Sequence, residues 1–326
     1  MHPDLVHAMT RQYGLFTVQQ AKAAGYDHRD IAIAIRSRAW VRVRRGVLST
    51  ADLPSAGDEF ARAREEHIRV AAADYLNLRT TRAVALSHET AAALHDVKLL
   101  GTLGDTRPSL TMPPNSPSVT AASHVHRAAL PSDAVVSRDS LPCTAPARTV
   151  VDLARSRPFR DAVAAVDSAL NQRRVTAESL ARLHAVCGRW PGASRARRVL
   201  DFADGLAESP YESLARVLCV EQGVPRPTPQ LQVTGADGHQ YWCDLGWEEE
   251  WTVLEVDGFT KYVTRKGNDP DRVHFAEKVR SDMIVEAGYE LVRVTPLELV
   301  RRGTDVGPRV FAAMARARRR HGRHAS

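Results

Sequence analysis

The chain has 326 residues, of which 44% are hydrophobic and 25% charged, and its net charge is +7. These values exclude wholesale disorder and collagen-like repetition, and the length allows two or three domains. No apolar run approaches the roughly 18–20 residues a membrane span needs, and Met1-His2-Pro3-Asp4 does not open a secretory signal, so no membrane partner is expected. The four cysteines lie at least 24 residues apart with no C-x-x-C spacing. That spacing argues against a zinc ribbon and fits reduced thiols in a cytoplasmic protein.

The first segment runs from residue 1 to about 53. Asp4 to Tyr13 suits a short helix. Thr17 with Gln20 has the form of a capping box and opens a helix that stops at Gly25. Asp27 is the expected N-cap of a second helix, His28 to Arg38, with Ile31, Ala34 and Ile35 on one face. Apolar and basic residues then alternate over Val41 to Arg44, Arg45-Gly46 turns the chain, and Val47-Leu48 pairs back. Residues 27–46 carry six arginines against Asp27 and Asp30. Helix, tight turn, helix and basic hairpin is the order of a winged helix-turn-helix. Arg29, Arg36, Arg38, Arg42, Arg44 and Arg45 are its candidate DNA contacts. The bland alternative is a small helical cap that binds only another domain.

The second segment, 54–205, is expected to be mainly helical. Helices are predicted over Asp58–Leu78, His88–His95, Arg160–Asn171 and Ala177–Cys187. Arg148–Asp152 is an i,i+4 pair on a helix entered through Thr144 and Pro146. Strands are expected around Ser109–Met112 and His124–His126. His88 beside Glu89 has no third partner at meaningful spacing. Arg189, Arg195, Arg197 and Arg198 read as a linker.

The third segment, 206–302, is acidic: its residues 206–300 carry 17 acids against nine bases. Ser209-Pro210-Tyr211-Glu212 caps a helix that runs to Glu221. Pro225, Pro227 and Pro229 form an extended link. A hairpin turns at Asp237-Gly238, with Asp244 on its second strand. Trp251 to Gly258 is a strand on which Glu255 and Asp257 point to one face. A helix over Val273–Ala287 and a strand at Glu290–Val294 follow. Two acids on an apolar strand demand a compensating charge. Mg²⁺ or Mn²⁺ on Asp244 and Glu255 would supply it and would activate water for phosphodiester hydrolysis. Ion pairing with Arg280 or Lys278 would supply it without chemistry. The last segment, 303–326, is read as a basic tail; its arginines suit phosphate, and the alternative is a solvated terminus.

Two resemblances sharpen this reading. Ser-Pro-Tyr-Glu-Ser-Leu at 209–214, Asp244, Glu255-Val-Asp-Gly and Glu277-Lys-x-Arg-x-Asp282 followed by Gly288-Tyr289 resemble the PD-(D/E)xK endonuclease fold, in the branch of very-short-patch-repair enzymes. The resemblance implies Asp244 and Glu255 as metal ligands, Glu212 as the first-helix acid and Asp257 as a further acid. The usual E-x-K lysine position holds Asp257, so a lysine would have to come from Lys261 or Lys278. The first two segments resemble AbiEi-type abortive-infection antitoxins, through Leu15-Phe16-Thr17, Ala21 to Gly25, Trp40 to Val47 and Thr149 to Ala154. That resemblance implies operator binding, autorepression and a toxin partner. The expected fold class is therefore α+β and multidomain: winged helix, helical-rich middle, restriction-endonuclease-like C-terminal domain. The expected function is a DNA-binding protein with a metal-dependent endonuclease domain, or an antitoxin-like regulator whose nuclease-like domain is catalytically degenerate. A plain protein-interaction module is the third reading.

Overall fold

The computed structural model describes residues 1–50, 59–78, 83–101, 103, 107–116, 123–257 and 270–322, with only the backbone described at 270–274. The chain is a mixture of helices and several sheets, divided into two compact units. One comprises Met1–Ser156 with Arg174–Ala196, and the other Arg157–Arg173 with Arg197–Ser326.

The first unit opens with helix α1 (Pro3–Arg11), strand β1 (Leu15–Thr17), helices α2 (Val18–Ala23) and α3 (His28–Arg36), and strands β2 (Trp40–Arg44) and β3 (Val47–Thr50). Both helix starts follow the sequence. Thr17 and Gln20 form a reciprocal capping box, and so do Asp27 and Asp30. Gly25 closes the turn between α2 and α3 at φ +93°, a conformation that costs a residue without Cβ little. The strands form a sheet of order β1-β3-β2. One face holds Phe16, Trp40 and Leu48 against Leu5, Ala21 and Ile31.

The other face is buried as well. Leu15 and Val47 join a core with Ile68, Ala71 and Ala72 of α4 (Glu59–Leu76) and with Leu86, Leu110 and Cys143. Residues 1–50 thus share a core with the segment that follows and lie with it in one compact unit. Alternation in β2 fails, because a bulge intervenes between Arg42 and Arg44. Such an extra residue re-aims the side chain that follows it. Arg44 therefore turns inward, and its Nε donates to the buried Asp74 at 2.8 Å.

The middle of the chain is rich in helices, and it also carries a sheet. After β4 (Ala85–Leu86) and α5 (His88–Leu94) come β5 (Ser109–Met112), β6 (His124–Arg127), β7 (Val135–Arg138) and β8 (Leu141–Thr144). They form a mixed five-stranded sheet of order β6-β5-β4-β8-β7. β4 has two residues, and the β7–β8 turn is Asp139-Ser140, both at positive φ. Neither feature leaves a strong sequence signal. Helix α6 (Pro146–Ser156) then presents Arg148 to Asp152 at 2.7 Å, as predicted. The next helix in the chain, α7 (Phe159–Asn171), belongs to the second unit, whereas α8 (Ala177–Val186) belongs to the first. The stretch expected as an arginine-rich linker is largely helical, as α9 (Ala193–Phe202), which begins in the first unit and continues in the second.

The second unit continues with α10 (Pro210–Glu221), β9 (Thr228–Thr234), β10 (Gln240–Trp247), β11 (Thr252–Val256), α11 (Pro270–Glu286), β12 (Glu290–Val294), α12 (Pro296–Arg302) and α13 (Val306–Gly322). Its sheet has the order β12-β11-β10-β9, antiparallel except for the β11–β12 pair. Every residue of β11 is buried, as suits a central strand beside a parallel neighbour. Of the residues read as a tail, Val306–Gly322 form helix α13, which buries Val310, Ala313, Met314 and Ala317. Arg316 and Arg320 pair with Glu290, and Arg318 pairs with Glu250. The basic C-terminus thus neutralises part of the acidic segment before it.

α7 and α10 are held by a buried ion pair. Arg216 Nη2 donates to Asp167 at 2.6 Å with both side chains fully buried, and Nη1 donates to the Phe202 carbonyl at 2.8 Å. Arg216→Met leaves that carboxylate buried and unpaired, and urea denaturation should show a loss of about 3–5 kcal/mol. Adding Asp167→Leu should recover much of it, because an apolar pair removes the orphaned charge.

Candidate nucleic-acid interface and acidic cluster

At the N-terminus the geometry follows from the two capped helices and the hairpin. Ile31 anchors α3 in the core, while Arg29, Ala32, Ile33 and Arg36 on the same helix stay exposed. Arg38, just past α3 at φ +59°, and Arg42 and Arg45 of the hairpin are exposed too. Arg44 differs: it is committed to Asp74, which also accepts from Ser123 at 3.1 Å. Five of the six arginines expected to meet DNA are thus presented to solvent, and one serves the fold. Lys22 adds a cation that the sequence reading overlooked; its Nζ lies 2.8 Å from His28 Nε2, between α2 and α3.

A second polar cluster lies under α5. The His88 and His126 rings stack with centroids 3.5 Å apart, and Ser109 Oγ donates to Glu89 at 3.2 Å. Nothing in the sequence spacing joins β6 to the start of α5; the parallel β5–β6 pairing does so. Burial, and then the neighbouring His126, push His88 down from 6.5 to about 3, against the pull of Glu89. A group with a depressed folded value favours the native state only while it is neutral. Stability should therefore decline as pH falls below 6.5 towards about 3. His88→Asn, which tolerates the φ of +51° at this position, should flatten that decline in thermal melts.

Asp244 within β10 acts electrostatically on both Glu212 on α10 and Glu255 on β11, raising each. Burial, and then Asp244, raise Glu212 from 4.5 to about 7. Glu212 accepts the Glu208 amide at 2.8 Å, one residue further back than a reciprocal capping box with Ser209 requires. Asp244 Oδ2 accepts the Val256 amide at 2.7 Å. Glu255 is bound by the Arg280 guanidinium of α11, which also donates to the Trp242 carbonyl. Asp257 lies beyond it, 3.8 Å from Arg293 Nε. Lys278 is exposed, and Lys261 lies outside the described residues.

A divalent ion would need several open oxygen donors. Glu255 is already held by Arg280, and among the described residues no three of His, Cys, Asp and Glu converge as a metal site requires. The donor set as folded does not fit Mg²⁺ or Mn²⁺. Among the same residues no helix is long and apolar enough to cross a membrane.

Comparison with known proteins supplies context. The chain matches the AbiEi antitoxin C-terminal domain over residues 83–202, from β4 to the end of α9. That match lies in the middle of the chain. Two curated relatives, the uncharacterized proteins MT2308 and Rv2248 of Mycobacterium tuberculosis, are each 28% identical over 175 residues. The aligned part is 54% of this chain and spans 62% of the length of those relatives.

Glu212 offers a direct check on the acidic cluster. A carboxyl raised from 4.5 to about 7 costs stability progressively as pH climbs through that interval. Glu212→Gln should be the more stable protein above pH 7, by at most about 3 kcal/mol, and should converge with wild type near pH 4. Denaturant titrations across pH read this directly.

Proposed function

We propose that this protein is a DNA-binding regulator of the antitoxin type, with a winged helix at its N-terminus and a nuclease-like C-terminal unit that does not cleave DNA. The observation that carries the proposal is the α1-β1-α2-α3-β2-β3 unit, with exposed Arg29 and Arg36 on α3 and exposed Arg42 and Arg45 on its hairpin. A helix of this kind enters a major groove, while hairpin arginines meet phosphates or the minor groove. The similarity of residues 83–202 to an antitoxin domain supports the same reading, and a cognate toxin is the partner it suggests. Binding to its own operator would give autorepression. The nuclease alternative would set Asp244 and Glu255 on Mg²⁺ or Mn²⁺, with Glu212, Asp257 and Lys261 or Lys278 around them. The Arg280–Glu255 pair weighs against it.

Gel-shift titration of the full chain against its own upstream DNA should show a preference over random duplex, weakening steeply with salt. Arg42→Ala should lower affinity on all sequences and reduce the salt slope by about 1. Arg29→Ala or Arg36→Ala should cost about 1–3 kcal/mol and relax sequence preference where it meets a base. Arg44→Ala should instead lower thermal stability. Equal affinity for operator and random DNA would overturn the regulator reading.

A further inference from the structure

The acidic cluster has a feature that the DNA-binding proposal does not use. Glu255 is 6% exposed on a strand whose every residue is buried, and a carboxylate there needs a cation. The cation present is the guanidinium of Arg280, reaching from α11. One of its terminal nitrogens donates to Glu255 Oε1 and the other to the main-chain carbonyl of Trp242, two residues before Asp244. A carboxylate oxygen and a peptide oxygen are the kind of hard donors a divalent ion selects. In the β11–β12 register Arg293 stands opposite Glu255, and it lies 3.8 Å from Asp257. Two guanidiniums thus meet Glu255 and Asp257, and Glu255 is an acid that a nuclease would turn towards a metal.

We infer that Arg280 is the built-in cation of this unit, occupying between Glu255 and the Trp242 carbonyl the place a divalent ion would take, so that the carboxylate cluster is closed without metal. A guanidinium suits the task because its planar fork bonds a carboxylate and a carbonyl at once. It cannot leave with a change of medium, as an ion can. The cluster is thereby fixed, and removing the guanidinium opens oxygen donors that an ion can fill. This inference concerns the C-terminal unit alone and stands or falls independently of DNA binding.

Thermal unfolding of the full-length protein in EDTA or in millimolar Mn²⁺ tests it. The wild-type Tm should be the same in both, and so should that of Arg280→Lys, which keeps a cation. Arg280→Gln should melt lower in EDTA and regain several degrees in Mn²⁺, and Asp244→Asn in that background should abolish the gain. If Arg280→Gln does not fold in EDTA, recovery of its circular dichroism on adding Mn²⁺ counts in favour, and failure to recover counts against. A wild-type Tm that rises in Mn²⁺ and loses the rise in Asp244→Asn would overturn the inference. So would an Arg280→Gln protein indifferent to the ion.

Discussion

Arginine answering a buried carboxylate is the interaction on which both units depend. Of 45 basic residues only five are lysine. Asp74, Asp152, Asp167 and Glu255 are each nearly or wholly buried, and each is met by a guanidinium: Arg44, Arg148, Arg216 and Arg280. The four arginines share a second habit. Each also donates to a main-chain carbonyl, of Val43, Ala129, Phe202 and Trp242 respectively. One planar cation therefore satisfies an acid and a backbone oxygen together, which an ammonium on a flexible stem does less well. Glu212 shows the contrast. It accepts from the amide of Glu208 and the side chain of Gln230, and burial pushes its carboxyl up to about 7.

How much of this was legible follows from range. Local chemistry read well: the Thr17 and Asp27 caps, the Arg45-Gly46 turn, the Ser209-Pro210 helix start and the Asp237-Gly238 hairpin stand where the residues placed them. Non-local pairing did not. The five-stranded sheet rests on a two-residue strand and an Asp139-Ser140 turn, and β5 pairs with β6 in parallel across a long connection. Arg44 misled for a related reason. Alternation predicts its direction only while the ladder is regular, and one bulged residue reverses the outcome. The run of arginines near the C-terminus looked like a tail because charge hid the narrow stripe of Val310, Ala313, Met314 and Ala317.

Asp244 and Glu255 stand on the neighbouring strands β10 and β11. Their partner is what changes the chemistry. Glu255 was expected to face a metal or an arginine, and the arginine is there.

The doubly buried sheet at the N-terminus has a consequence for synthesis. Leu15 and Val47 complete a core that includes Ala71, Leu86, Leu110 and Cys143. A ribosome must therefore deliver nearly the first half of the chain before residues 1–50 can settle on that core. A product that stops near residue 53 keeps the exposed Arg29, Arg36, Arg38, Arg42 and Arg45 but lacks the core that holds their strands and helices in place.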